Sequence, residues 1–73
     1  NRQRFWQIFV ACLAQLAPAH AQVFQMRELD GHSTEDICKE LAITSTNCWV
    51  MLYRARLGLQ QCLDQRWGDR HAV

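Results

Sequence analysis

Glycine and proline are scarce in this chain, which has three glycines and one proline among its 73 residues. Tight turns depend on these two residue types, because glycine adopts positive φ without strain and proline fixes φ. A sandwich or barrel of short strands needs a turn roughly every 8–12 residues. The sequence therefore argues against an all-β fold, and its length allows one domain at most.

Apolar residues recur at helical spacing in four segments. We predict helices over about residues 3–16, 18–29, 34–41 and 45–63, which makes the fold all-α, a four-helix domain with a C-terminal helix-turn-helix at about 34–63. We assign the whole chain, 1–73, to this one domain. Because it starts at Asn1 without a methionine, we expect it to be a fragment of a longer chain.

Capping residues mark the ends of the predicted helices. Pro18 fits the first position of the second helix, and Gly31 is placed to end that helix in a left-handed conformation. Ser33 can accept a hydrogen bond from the backbone N–H of Asp36 at the start of the third helix. Thr44 can cap the fourth helix in the same way, after a connection of about three residues.

The apolar stripes predict which side chains point inward. In the first two helices these are Phe5, Phe9, Cys12, Leu13, Leu16, Ala19, Val23, Phe24 or Met26, and Leu29. Between the third and fourth helices we expect one shared core of Ile37, Cys38, Cys48, Leu52, Ala55 and Leu59, flanked by Leu41 and by Cys62 or Leu63. Thr46, Trp49, Val50, Tyr53 and Leu57 then fall on the opposite side of the fourth helix. Two outward aromatic residues at i, i+4 indicate a contact surface.

Charge is distributed unevenly although the net charge is only +1. Five of the seven acidic residues lie within residues 28–40, whereas residues 41–63 contain two arginines, Arg54 and Arg56, and no acid. A mildly basic helix after an acidic segment favours a test for nucleic-acid contact.

Four cysteines and three histidines raise the question of a zinc site. No two cysteines form a Cys-x-x-Cys pair, and each falls on a predicted buried stripe. We therefore expect four reduced core thiols and no bound metal or cofactor. No nucleophile–base constellation, glycine-rich phosphate loop or carboxylate pair is present in a pocket-forming context, so we expect no enzymatic activity.

Residues 2–22 partly resemble a secretory signal, with two early arginines and an Ala-x-Ala site. Gln3, Gln7 and Gln15 interrupt the apolar run at helical spacing, which favours an amphipathic helix instead. The run is also shorter than the ~20 apolar residues of a membrane span. A secreted, disulfide-linked helical protein remains an alternative at this stage.

Three segments together resemble region 4 of bacterial sigma-70 factors, in particular the extracytoplasmic-function group. They are Val23-Phe24-x-x-Arg27-Glu28-Leu29-Asp30-Gly31-His32-Ser33-Thr34-Glu35-Asp36-Ile37, then Leu41-Ala42-Ile43-Thr44, and finally Tyr53-Arg54-Ala55-Arg56. The resemblance covers about residues 13–63. It implies a cytoplasmic transcription factor that binds the promoter −35 element and docks on the β-subunit flap of RNA polymerase, and that an anti-sigma factor can mask.

The sequence departs from the family pattern at several positions. The usual glycine of the hairpin turn is Ala42, and Trp49-Val50-Met51 replaces a stretch that is commonly basic. Apolar residues can still contact thymine methyls, and Asn47 can pair with adenine. The residues we expect to contact DNA are Thr34, Thr44, Ser45, Thr46, Asn47, Trp49, Val50, Tyr53, Arg54 and Arg56. A LuxR-type helix-turn-helix regulator and a protein-interaction module without DNA readout are the alternatives.

Overall fold

The computed structural model describes residues 2–68, and this part of the chain is helical and without strands. Its elements are α1 (Arg2–Ala14), α2 (Pro18–Phe24), a π-helical segment (Gln25–Leu29), α3 (Thr34–Leu41), α4 (Ser45–Leu63) and a second π-helical segment (Asp64–Gly68). The predicted all-α, four-helix class is confirmed. Residues 1 and 69–73 of the predicted domain lie outside the described residues.

The predicted helix caps are present. The Ser33 hydroxyl accepts a hydrogen bond of 3.1 Å from the backbone N–H of Asp36, and the Thr44 hydroxyl accepts one of 3.1 Å from that of Asn47. Pro18 occupies the first turn of α2, where its missing N–H leaves no partner unsatisfied. Because these interactions are local, they set the starts of α2, α3 and α4 at the predicted positions.

A wide turn follows α2. The backbone N–H of Asp30 donates to the carbonyl of Gln25 at 2.9 Å, five residues back, and the chain then reverses at Gly31, whose φ is +78°. A π-helical turn holds more residues than an α-helical turn, so it shifts the register of the side chains that follow. The predicted burial of Leu29 is therefore wrong, since this side chain is 44% exposed.

The core consists of two apolar clusters that lie along α4. The α1 cluster contains buried Cys12, Phe24, Ala55 and Leu59, with Ile8, Phe9, Leu13, Leu16, Cys62 and Leu63 packed around them. The α3 cluster contains buried Val23, Ile37, Cys48 and Leu52, with Met26, Cys38, Leu41, Ile43 and Met51 packed around them. Ala19 belongs to neither cluster and is exposed, contrary to prediction, and Phe5 lies at the border of exposure at 36%.

The prediction of one core shared by α3 and α4 is thus wrong for Ala55 and Leu59, which pack against α1 and α2. Helix lengths explain the difference. At ~1.5 Å per residue, the 19 residues of α4 span about 28 Å, whereas the eight residues of α3 span about 12 Å. Since α3 covers only the first half of α4, α1 covers the second half.

Cys12 and Cys62 form a disulfide bond that joins α1 to the last turn of α4, with their Cα atoms 5.7 Å apart. The expectation of four reduced thiols is therefore wrong for this pair. The connection between α1 and α2 also approaches α4 closely at Gly58, where a Cβ atom would lie 2.6 Å from the Cδ2 of Leu16. The disulfide ties α1 to α4, and the absence of a side chain at Gly58 leaves room for Leu16 in the connection that follows α1.

The other two cysteines, Cys38 and Cys48, are free thiols that contact each other in the α3 cluster. Burial raises the pKa of the Cys48 thiol above its usual value, and the neighbouring Cys38 raises it further. Cys48 therefore stays protonated at neutral pH, as a packed apolar side chain does. All four cysteines thus occur in two spatial pairs, one in each cluster.

The described residues, 2–68, contain no helix that combines the length and the apolar character needed to cross a bilayer. Nor does this part of the chain contain a group of three or more histidine, cysteine or acidic side chains placed to hold a metal ion.

Ala42 ends α3 in the left-handed conformation, with φ +56°. A Cβ atom disfavours this region, so Ala42→Gly should raise the free energy of unfolding by about 1 kcal/mol. We expect a melting temperature about 4–8 °C higher by circular dichroism. The control is Ala11→Gly in the interior of α1, which should lower stability by about 0.5–1 kcal/mol. If Ala42→Gly does not stabilise the domain, or if Ala11→Gly stabilises it as well, this account of the turn is contradicted.

Candidate nucleic-acid interface

The connection between α3 and α4 is three residues long, Ala42 to Thr44, and it turns sharply because Ala42 is left-handed. The backbone N–H of Ile43 donates to the carbonyl of Cys38 at 3.1 Å, which closes the end of α3. Thr44 then begins α4 with its hydroxyl cap. A short helix, a tight turn and a longer helix form the helix-turn-helix geometry that the sequence predicted.

One side of α4 is apolar and exposed. Trp49 is 50% exposed, Val50 39%, Tyr53 65% and Leu57 41%. Together with Thr46 they define the outer face of α4, and the buried side chains of the same helix point the other way. The predicted orientation of the helix is confirmed, and no described residue of the chain covers this face.

The remaining predicted contact residues occupy different positions. Ser45, Thr46 and Asn47 are exposed in the first turn of α4, beside the outer face. The hydroxyl of Thr44 is already the acceptor for the backbone of Asn47. Thr34 is the first residue of α3, the helix next to α4, and its side chain is half-buried. The structure therefore groups most of the predicted residues on one helix surface.

The two arginines of α4 differ in their surroundings. Nη2 of Arg56 donates to Oε1 of Glu28 at 2.8 Å, an exposed ion pair between α4 and the π-helical segment. Arg54 is exposed, and no ion pair involves it within residues 2–68. Sequence reasoning missed Glu28 as the partner of Arg56, because the two residues lie 28 positions apart and only the fold brings them together.

A separate groove of about 320 Å³ lies between α1 and the C-terminal half of α4. Its lining is mostly apolar, from Phe9, Phe24, Leu59 and Leu63. Arg56, Gln60 and Asp64 supply its polar lining. The domain thus carries two distinct apolar surfaces, the outer face of α4 and this groove.

The family to which this helix-turn-helix belongs follows from comparison with known proteins. The statistical model of the family "Sigma-70, region 4" matches residues 6–59, which include α2, α3 and most of α1 and α4. The chain belongs to the sigma-70 region 4 family. Membership in this family decides against the LuxR-type alternative, and it agrees with the resemblance carried by the motif residues.

A similar curated protein is described as a probable RNA polymerase sigma factor of Haemophilus influenzae. It is 48% identical over 62 residues, which make up 85% of this chain and 32% of that protein. The chain thus spans about a third of the length of this relative. No solved structure matches the chain significantly.

Proposed function

We propose that this domain recognises the −35 promoter element as part of an extracytoplasmic-function sigma factor and so directs transcription initiation. The observation that carries the proposal is the exposed N-terminal half of α4, which follows a capped three-residue turn in a chain of the sigma-70 region 4 family. In helix-turn-helix domains the second helix enters the major groove with its N-terminal residues toward the bases.

The contacts divide by chemistry. In this proposal, base edges are contacted by exposed side chains at the start and on the outer face of α4, namely Ser45, Thr46, Asn47, Trp49, Val50 and Tyr53. Phosphates are contacted by the side chains of Arg54, Thr34 and Thr44 and by backbone N–H groups at the helix starts. Arg56 contributes as a phosphate ligand only when it leaves Glu28.

The isolated domain should bind DNA weakly. With two arginines on α4, one of them paired, it offers few phosphate contacts. We expect dissociation constants near the ~10⁻⁴–10⁻⁶ M of non-specific binding at physiological salt. RNA polymerase then supplies the remaining affinity by holding the domain at the promoter.

The groove beside α1 supports docking on the polymerase, since an apolar concave surface accommodates an apolar segment of a partner. We propose the β-subunit flap as that partner and an anti-sigma factor as a competitor for the domain. In this role the protein is cytoplasmic and has no catalytic activity.

Substitution of Arg54 tests the interface. Arg54→Ala should lower affinity by a similar factor for all duplex sequences and reduce the slope of log K against log salt by about 1, because one phosphate contact is lost. Fluorescence anisotropy at several salt concentrations measures both effects. Arg2→Ala on α1 is the charge-matched control and should leave the slope unchanged.

Asn47→Ala should behave differently, with a cost of ~1–3 kcal/mol mainly on the preferred sequence, as expected for a lost base contact. Backbone amide shifts on titration with promoter DNA should change most at residues 44–56. Changes confined to α1 and α2 would overturn the proposed function.

A further inference from the structure

The outer face of α4 differs from a surface built for hydrogen-bonded base readout. The side chains in its second turn are Trp49 and Val50, which offer mainly apolar area. The adjacent Met51 is half-buried in the α3 cluster and faces inward. Bidentate recognition of guanine requires arginine or lysine, and residues 45–53 contain neither.

Helix geometry places the polar groups at the edges of this apolar strip. At ~100° per residue, Asn47, Val50 and Arg54 follow one line along α4. Trp49, Tyr53 and Arg56 follow another. Since Arg56 is held by Glu28, the line through Trp49 has no free cation. The exposed contact area on that line therefore comes mainly from two aromatic rings, the indole of Trp49 in the second turn and the phenol ring of Tyr53 one turn later.

One feature of base pairs in the major groove is apolar, the C5-methyl group of thymine. An apolar side chain that contacts this methyl removes it from water, and no other standard base offers an equivalent group. No acidic residue lies between Leu41 and Leu63 to repel the phosphates beside such a contact.

We propose that Trp49 and Val50 add to the sequence preference of the domain, beside the proposed base contact of Asn47, by contacting thymine methyl groups. This inference rests on the proposed DNA-binding function and specifies the base feature that α4 reads. The preferred duplex then contains thymines at the positions opposite the second turn of α4.

Replacement of thymine by uracil tests the inference, because it removes one methyl group and keeps every hydrogen-bonding group. The preferred duplex is first selected from a randomised pool with the 73-residue chain at low salt, and each thymine is then replaced in turn. At each contacted thymine we expect about four-fold weaker binding, which corresponds to ~0.8 kcal/mol for one buried methyl-sized group. Replacement elsewhere in the duplex should leave the affinity unchanged.

Variants then assign the effect to side chains. At one of the contacted positions, Trp49→Ala should bind the duplex with thymine and the duplex with uracil equally well. Val50→Ala should lose the discrimination in the same way at a different contacted position. Trp6→Ala is the matched control, because Trp6 on α1 is 51% exposed and Trp49 is 50% exposed. It should retain the full four-fold discrimination. Circular dichroism checks that each variant keeps its helices.

Equal affinity for thymine and uracil at every position of a duplex that the chain does bind would overturn this inference and leave the proposed function standing. The same holds if Trp49→Ala and Val50→Ala both keep the discrimination. Failure of the chain to bind any duplex would overturn the proposed function, and this inference with it.

Discussion

Reduction of the Cys12–Cys62 disulfide should lower the free energy of unfolding by about 4 kcal/mol, a large part of the stability of a small domain. The bond closes a loop between residues 50 positions apart, and the chain-entropy estimate for a loop of this length gives that value. Urea denaturation with and without reductant measures the difference. A thiol count on the denatured, non-reduced chain should find two free thiols.

The double variant Cys12→Ala/Cys62→Ala is the control, since reductant should not change its denaturation midpoint. Four free thiols in the untreated chain, together with equal midpoints in both conditions, would contradict the disulfide. In that case the original expectation of four reduced cysteines would be correct.

The disulfide also bears on the proposed cytoplasmic location. Disulfides are rare in a reducing cytoplasm, and those that occur there are usually transient. In that compartment the bond exchanges with the cellular thiol pool, so the reduced chain must also fold. We expect the reduced chain to depend on the apolar packing of the two clusters alone, without the covalent tie between α1 and α4.

Leu52→Ala should destabilise the domain by ~2–5 kcal/mol. The Leu52 side chain is fully buried in the α3 cluster, so truncation loses apolar contacts and leaves a cavity. Urea denaturation followed by circular dichroism measures the shift in midpoint. The variant should also show weaker DNA binding, because α4 loses packing contacts with α3 that hold it in position.

Leu57→Ala is the matched control, a leucine on the same helix that is 41% exposed. It should change stability by less than about 0.5–1 kcal/mol. Similar midpoints for Leu52→Ala and the unmodified chain, or an equal loss for both leucines, would contradict the assignment of the inner and outer sides of α4.

Local chemistry explains which parts of the fold were predictable. Ser33, Thr44, Pro18 and Gly31 act within a few residues of themselves, so their roles follow from sequence spacing. The division of α4 into a buried and an exposed side also follows from the helical spacing of its apolar residues alone.

Other features depend on distant parts of the chain. The Cys12–Cys62 bond and the Glu28–Arg56 ion pair join residues that no local pattern relates. The exposure of Leu29 depends on a π-helical turn for which the sequence has no clear signal. The predicted DNA contacts remain predictions, because they concern a second molecule.

The position of α4 in both clusters links the two ends of the domain energetically. Its first half packs on α3 and its second half on α1, so neither cluster can open without exposing part of the same helix. The proposed DNA-contacting surface is the other side of that helix. A partner that binds α1 more tightly when α4 is in its DNA-binding shape would therefore strengthen DNA binding, and by thermodynamic reciprocity DNA on α4 would raise the affinity of that partner by the same factor.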